Sequence, residues 1–277
     1  MKFVISFTTS PSRIKKIKPM IDSIINQDLK PNLILLNIAE IFPRTGERYI
    51  IPDFVKNNVT INRIEKDLGP ATKLVPTITY LRNNNYDEND TFIIYLDDDI
   101  KYSKNMISTY NFLLTINKTK RVLCCGGFHF TNRYGKLILC GQRKHNDLVS
   151  VAEGYASVCV ALSIFKQDFE DYMHKYISSY KECLLSDDVV LSNYYLLHKI
   201  EIRIVSIPGK CSIHDIWTEK RILDYGNEND ALHCGANGFS VTNVERYPKV
   251  LKILNSNNEL ALQILPFPEN INFSFSK

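Results

Sequence analysis

Thr91-Phe92-Ile93-Ile94-Tyr95-Leu96-Asp97-Asp98-Asp99-Ile100 decides the fold of this chain. It is a short, continuous apolar run, rich in β-branched residues, that ends abruptly in three carboxylates. Such a run suits a strand buried on both faces of a parallel sheet. In open α/β sheets, ligands sit outside the carboxyl ends of such strands. Three acidic side chains there repel one another and raise each other's pKa unless a cation compensates, and a hard divalent ion with oxygen ligands would do so. Alternation along an extended chain sets Asp97 and Asp99 on one side and Asp98 on the other. The triplet therefore reads as a metal site of the Asp-x-Asp type. The plainer alternative is a solvated turn or helix N-cap, because Ser103 and Asn105 follow closely.

Working outward, the segments on either side repeat a strand–helix rhythm. A strand over 2–7 runs into Thr8-Thr9-Ser10-Pro11-Ser12-Arg13, and apolar residues from Ile14 to Ile25 recur at helical spacing. A second buried strand covers 33–38, so the first unit is βαβ with a right-handed crossover. A polar loop, a brief helix around Phe54 and a strand over 59–64 follow. In Asp67-Leu68-Gly69-Pro70-Ala71-Thr72-Lys73-Leu74, Gly and Pro break the chain and Thr and Lys open a helix running to about Leu81. A helix N-terminus carrying a lysine suits an anion, and equally suits an ordinary capped helix.

Beyond the triplet, the pattern gives a helix over 105–116, a strand over 121–125 and a hairpin through Asn132-Arg133-Tyr134-Gly135. Glu153-Gly154-Tyr155-Ala156 precedes an apolar run, and an aromatic-rich helix covers 168–180. Ser186-Asp187-Asp188-Val189 places two carboxylates at a helix start, where the helix dipole favours them in any case. A late strand over 201–207 precedes His214 and Trp217, then His233; a last helix covers 242–254.

The chain has 277 residues, 44% hydrophobic and 23% charged, ordinary for a globular protein and enough for one large α/β domain. A net charge of +4, with no Lys/Arg block, gives no argument for nucleic acid. No apolar run reaches bilayer-spanning length and no signal peptide is recognisable, so a cytoplasmic location is expected. Seven cysteines without a Cys-x-x-Cys pair point away from structural zinc or a disulfide framework.

Taken together, these pieces resemble a GT-A glycosyltransferase of the family-2-like, inverting kind, over most of the chain from Val4 to about His233. Val4-Ile5-Ser6-Phe7-Thr8-Thr9-Ser10-Pro11-Ser12-Arg13 resembles the opening strand and nucleotide-base loop. The Asp67–Leu74 stretch is similar to a nucleotide-contacting segment. Tyr95-Leu96-Asp97-Asp98-Asp99 resembles the Asp-x-Asp motif, and Ser186-Asp187-Asp188-Val189 resembles the Glu-Asp element, with Asp187 in place of the usual Glu.

The resemblance implies an α/β GT-A fold, Rossmann-like, as a single domain with a central, mostly parallel sheet flanked by helices. Within it, 1–100 would be the nucleotide-sugar-binding half, 101–260 the acceptor-binding half and 261–277 a tail. It implies transfer from a nucleotide-sugar, a UDP-sugar by analogy, to a hydroxyl of a glycan, protein or small-molecule acceptor. Thr8, Thr9, Arg13, Asp67, Lys73, Asp97 and Asp98 would bind the donor, and Asp97, Asp99 and His214 would hold Mn²⁺ or Mg²⁺. His233 is the other candidate for that ligand. Asp188, with Asp187 beside it, would be the catalytic base. Apart from the resemblance, aromatic rings stack on sugar faces and a glycine permits close approach, so Glu153-Gly154-Tyr155 and Trp217 are candidates for the acceptor side, with core packing an equal reading of Tyr155.

The chemistry needs such groups. Expelling a nucleoside diphosphate builds negative charge on its β-phosphate, which a metal ion and Lys73 would offset. An acceptor hydroxyl needs a base within hydrogen-bond reach, and in-line attack with one carboxylate base inverts the anomeric centre. Three other readings remain: a nucleotidyltransferase, a metal-dependent phosphotransferase or phosphatase, and a non-catalytic sugar-binding protein. A phosphatase of this kind carries its aspartates after the first strand, whereas here they follow a later one.

Overall fold

The computed structural model describes residues 1–117, 120–141, 145–205 and 242–266. In chain order the first half comprises β1 (Lys2–Phe7), α1 (Lys18–Ile25), β2 (Leu33–Ala39), α2 (Asp53–Lys56), β3 (Thr60–Ile64), α3 (Val75–Asn83) and β4 (Thr91–Tyr95). Then come α4 (Met106–Ile116), β5 (Val122–Cys124), β6 (Gly127–Arg133), β7 (Lys136–Gly141), β8 (Val151–Ala152) and β9 (Val158–Ala161). The remainder is α5 (Phe169–Ser179), α6 (Lys181–Leu184), α7 (Asp187–Leu197), β10 (Ile202–Ile204), α8 (Asn243–Ser256) and β11 (Ile264–Pro266).

A seven-stranded sheet runs in the order β10-β5-β9-β4-β1-β2-β3. Every pairing in it is parallel except those of β9, which is antiparallel to both β4 and β5. This is the α/β architecture with a mostly parallel sheet that the sequence leads one to expect. A second sheet joins β11, β6 and β7, with β8 on β6.

Side chains alternate across the main sheet as a doubly covered strand requires. Val4, Ile93 and Tyr95 enter one hydrophobic cluster, together with Leu74 from the turn before α3 and Ile78, Phe169, Tyr176 and Tyr194 from the helices. Phe3, Ile5, Phe7, Ile94 and Leu96 enter the other, with Ile17, Met20, Ile21 and Tyr110. Full burial of each large apolar side chain contributes roughly 1.5–3 kcal/mol, so both faces hold the central strands in register.

Some boundaries differ from the sequence expectation. The first helix begins at Lys18 rather than near Ile14, with Pro19 in its first turn. Proline disfavours helical backbone in the residue before it and has no N–H to continue an earlier turn. The Asp67–Leu74 segment forms a 3₁₀ turn, Gly69–Lys73, and α3 starts only after Leu74. The segment expected as a tail contributes β11, which pairs with β6, and Leu262 is buried. Among the described residues, no helix is long and apolar enough to cross a membrane.

What positions the site is the reversal of strand order at β1. The chain builds outward from β1 through β2 to β3, then returns to place β4 on the other side of β1. The carboxyl ends of β1 and β4 emerge side by side, Ser6 opposite Tyr95. This is the topological switch point at which open α/β sheets bind ligands.

Candidate functional site

Because β1 and β4 end level, the loop after one meets the triplet after the other. Thr9 Oγ1 donates to Asp98 Oδ2 at 2.5 Å, and the Arg13 guanidinium lies 2.6 Å from Asp98 Oδ1 and 3.2 Å from Asp99 Oδ2. The Tyr49 hydroxyl donates to the Thr9 carbonyl at 2.8 Å and braces the loop from the other side. Burial pushes the Asp98 carboxyl up, against the pull of Arg13 and Thr9.

A second cluster forms around Lys73. Its ammonium stands 3.0 Å from Asp97 Oδ1, 3.3 Å from Asp187 Oδ2 and 3.9 Å from Asp188 Oδ1. The Lys73 side chain is only 4% exposed, whereas that of Asp97 is 31% exposed and open to a ligand. Burial alone would lower the Lys73 pKa, but Asp187, Asp97 and Asp188 outweigh it and hold the ammonium charged. Burial raises the Asp187 carboxyl despite Lys73, and burial followed by repulsion from Asp187 raises Asp188 well above the usual range.

A polar network beneath the sheet edge holds Lys73 in place. The Ser6 hydroxyl donates to the Lys73 carbonyl and contacts Thr77 Oγ1, each at 2.5 Å. Asn37 Nδ2 donates to Ser6 Oγ at 3.1 Å and to Thr77 Oγ1 at 2.8 Å, and Asn62 donates to Asn37 Oδ1 at 2.8 Å. Thr8 joins this network through the Asn37 carbonyl, 2.9 Å away, rather than the carboxylates. Asp67 accepts from the Gly69 N–H at 2.6 Å and so shapes the turn leading to Lys73.

The antiparallel direction of β9 brings a third segment to the same edge. Val158, at the start of β9, lies opposite both Tyr95 and Cys124, so the preceding residues 153–157 return to the carboxyl ends of β4 and β5. There the Gly154 N–H donates to Asp188 Oδ1 at 3.1 Å. A Cβ on Gly154 would stand 2.5 Å from Lys73 Nζ and 3.0 Å from Asp188 Oδ1. Tyr102 locks the arrangement: its hydroxyl accepts from the Asp97 N–H at 3.2 Å and lies 3.0 Å from the Tyr155 carbonyl.

The structure thus gathers Thr9, Arg13, Lys73, Asp97, Asp98, Asp99, Asp187 and Asp188 at one edge of the sheet. Asp99 falls with Asp98 on Arg13, not with Asp97, because β4 ends at Tyr95 and the chain turns at Asp98 and Asp99. Arg13 and Lys73 also supply part of the compensation that the sequence assigns to a metal ion. His214, His233 and Trp217 lie outside the described residues. Sequence reasoning missed Ser6 and Asn37, although a polar residue inside each of two apolar strands was a visible signal. Tyr102 left no such signal.

The donor set bears on a metal ion. Five aspartates, Asp97, Asp98, Asp99, Asp187 and Asp188, stand against two cations, and burial raises the pKa of Asp98, Asp187 and Asp188. Surplus carboxylate oxygen of this kind fits Mg²⁺ or Mn²⁺. Among the described residues, no three His, Cys, Asp or Glu side chains are grouped to hold an ion by themselves. An ion here would share its coordination with ligand oxygens, the habit of Mg²⁺ at phosphate sites.

No family model matches the chain, and no curated protein does. Among solved structures it is similar to S. aureus TarS 1-349, with a TM-score of 0.46 and 14% identity over 78% of this chain and 60% of that one. The same TarS fragment in complex with UDP-GlcNAc gives 0.46 and 12% over 92% and 72%. A 4-diphosphocytidyl-2C-methyl-D-erythritol synthase from Anaerococcus prevotii gives 0.43 and 13% over 74% and 87%. Likeness at this level does not bear on activity or on the roles of residues.

Proposed function

We propose that this chain is a GT-A glycosyltransferase that moves a sugar from a nucleotide-sugar, a UDP-sugar by preference, to an acceptor hydroxyl with inversion. One observation carries the reading: Lys73 joins the strand-end carboxylate Asp97 to the helix-start pair Asp187 and Asp188 in one buried cluster. That cluster sits at the switch point, where a nucleotide is expected to bind.

In this reading the loop from Thr8 to Arg13, with Asp67 and Asp98, receives the nucleoside, and Lys73 faces the diphosphate. Asp97 would hold a divalent ion, with His214 as a further ligand and Asp99 joining only on leaving Arg13. When bound, the ion supplies positive charge against the departing diphosphate. Asp188 takes the proton from the acceptor hydroxyl as that oxygen bonds to the anomeric carbon. The bond from that carbon to the β-phosphate oxygen breaks, and its electron pair leaves with the nucleoside diphosphate. Burial and the neighbouring Asp187 make Asp188 a stronger base than a solvated aspartate. Residues 1–100 would then be the donor half and 101–260 the acceptor half.

Product analysis tests this against the nucleotidyltransferase alternative. Incubation with UDP-, GDP- and dTDP-sugars and Mn²⁺ is expected to release a nucleoside diphosphate. Pyrophosphate release from a nucleoside triphosphate, with none from any sugar nucleotide, would overturn the reading.

A further inference from the structure

Glu153 is the carboxylate at this edge that the proposed chemistry leaves unused. It directly precedes Gly154, whose N–H holds Asp188 and whose Cα lies against Lys73. Its Oε2 lies over Gly126, 3.3 Å from where a Cβ on that glycine would stand. The missing side chain at Gly126 leaves room for the Glu153 carboxylate, which is partly exposed. Among the described residues its carboxyl has no hydrogen-bond or ion-pair partner.

We propose that Glu153 is the specificity residue that reads the transferred sugar, hydrogen-bonding a ring hydroxyl of the donor. This rests on the glycosyltransferase reading above. If Lys73 faces the diphosphate and Asp188 the attacking hydroxyl, the reacting carbon lies over Gly154, which touches both. The sugar ring attached to that carbon then extends over the neighbouring residue, Glu153. Burial pushes the Glu153 carboxyl up to about 7, with no compensating partner among the described residues. Among the described residues, the groups that feel its charge are Asp188, Tyr247 and Cys124, none of which is a cation. A sugar O–H is a neutral donor and acceptor that meets the need of this carboxyl in either protonation state.

Calorimetric titration of the full chain in Mn²⁺ tests the assignment, with UDP-, GDP- and dTDP-sugars and their nucleoside diphosphates as probes. In Glu153→Ala, the ratio of the sugar-nucleotide Kd to the diphosphate Kd should rise roughly tenfold or more, with diphosphate affinity unchanged. Glu153→Gln, which keeps the shape and a hydrogen-bonding end, should lose less and remains informative if the alanine variant fails to fold. An unchanged ratio in both variants, or a change confined to the KM for acceptor, overturns the assignment while leaving the glycosyltransferase reading intact. Failure of the wild-type chain to bind any of these nucleotides overturns both.

Discussion

The backbone N–H of Gly154 donates to Asp188 Oδ1 at 3.1 Å, and no side chain fits at position 154 without meeting both Asp188 and Lys73. An antiparallel strand entry thereby fixes the orientation of a carboxylate at the start of a helix. One residue without a Cβ keeps the proposed base and the proposed phosphate-facing cation in the same small space.

Gly154→Ala is the sharpest steric test of this relationship. Its Cβ would stand 2.5 Å from Lys73 Nζ and 2.8 Å from Lys73 Cε, and the lysine is buried with little room to yield. Transfer should fall about 100-fold, as a displacement near 1 Å can do. Folding should cost roughly 1–3 kcal/mol, the price of overpacking. Steady-state kinetics and urea denaturation separate the two effects.

Asp188→Asn removes the proposed base and leaves its shape. Turnover should drop about 10²- to 10⁴-fold while the Kd for nucleoside diphosphate stays within a few-fold of the wild type. Single-turnover kinetics and calorimetry check this pair of outcomes. Normal turnover would move the role of base to another residue.

Lys73→Met leaves Asp97, Asp187 and Asp188 without their shared ammonium. The variant should lose roughly 3 kcal/mol of stability at pH 7, as breaking a buried ion cluster does. The loss should be smaller at pH 5 than at pH 7, because burial raises Asp187 and Asp188 and so brings their protonation to a higher pH than that of solvated aspartates. Urea denaturation at the two pH values measures both.

Glu153→Gln should stabilise the ligand-free protein at alkaline pH. The wild-type carboxyl is raised from 4.5 to about 7 on folding, so its protonated form is the one that folding favours. Its stabilising contribution is full below pH 4.5 and is lost as the pH rises through about 7, where the charged form must be buried. The variant and wild type should match near pH 4. By pH 8 the variant should melt several degrees higher, corresponding to about 3 kcal/mol.

The switch point was legible because β1 and β4 announce themselves as apolar runs ending in Thr8-Thr9 and Asp97-Asp98-Asp99. Lys73 and Asp188 were legible as candidates, since Gly-Pro and the helix start mark where each side chain leaves its segment. Their meeting was not legible. It depends on β9 running antiparallel between β4 and β5, and a four-residue apolar run carries no record of its direction. The pairing of Asp99 with Arg13 was hidden for a related reason: period-two alternation lapses once the strand ends, and the turn after Leu96 sets the side-chain directions.

Thermal stability with a panel of nucleoside diphosphates, with and without Mn²⁺, tests most directly that this edge is a nucleotide-sugar site. A ligand that binds only the native state raises the melting temperature by mass action. One nucleoside diphosphate, UDP by expectation, should raise it by several degrees in the presence of Mn²⁺, and Asp97→Ala should abolish the shift. No shift with any nucleoside diphosphate, with or without the metal, would contradict the assignment.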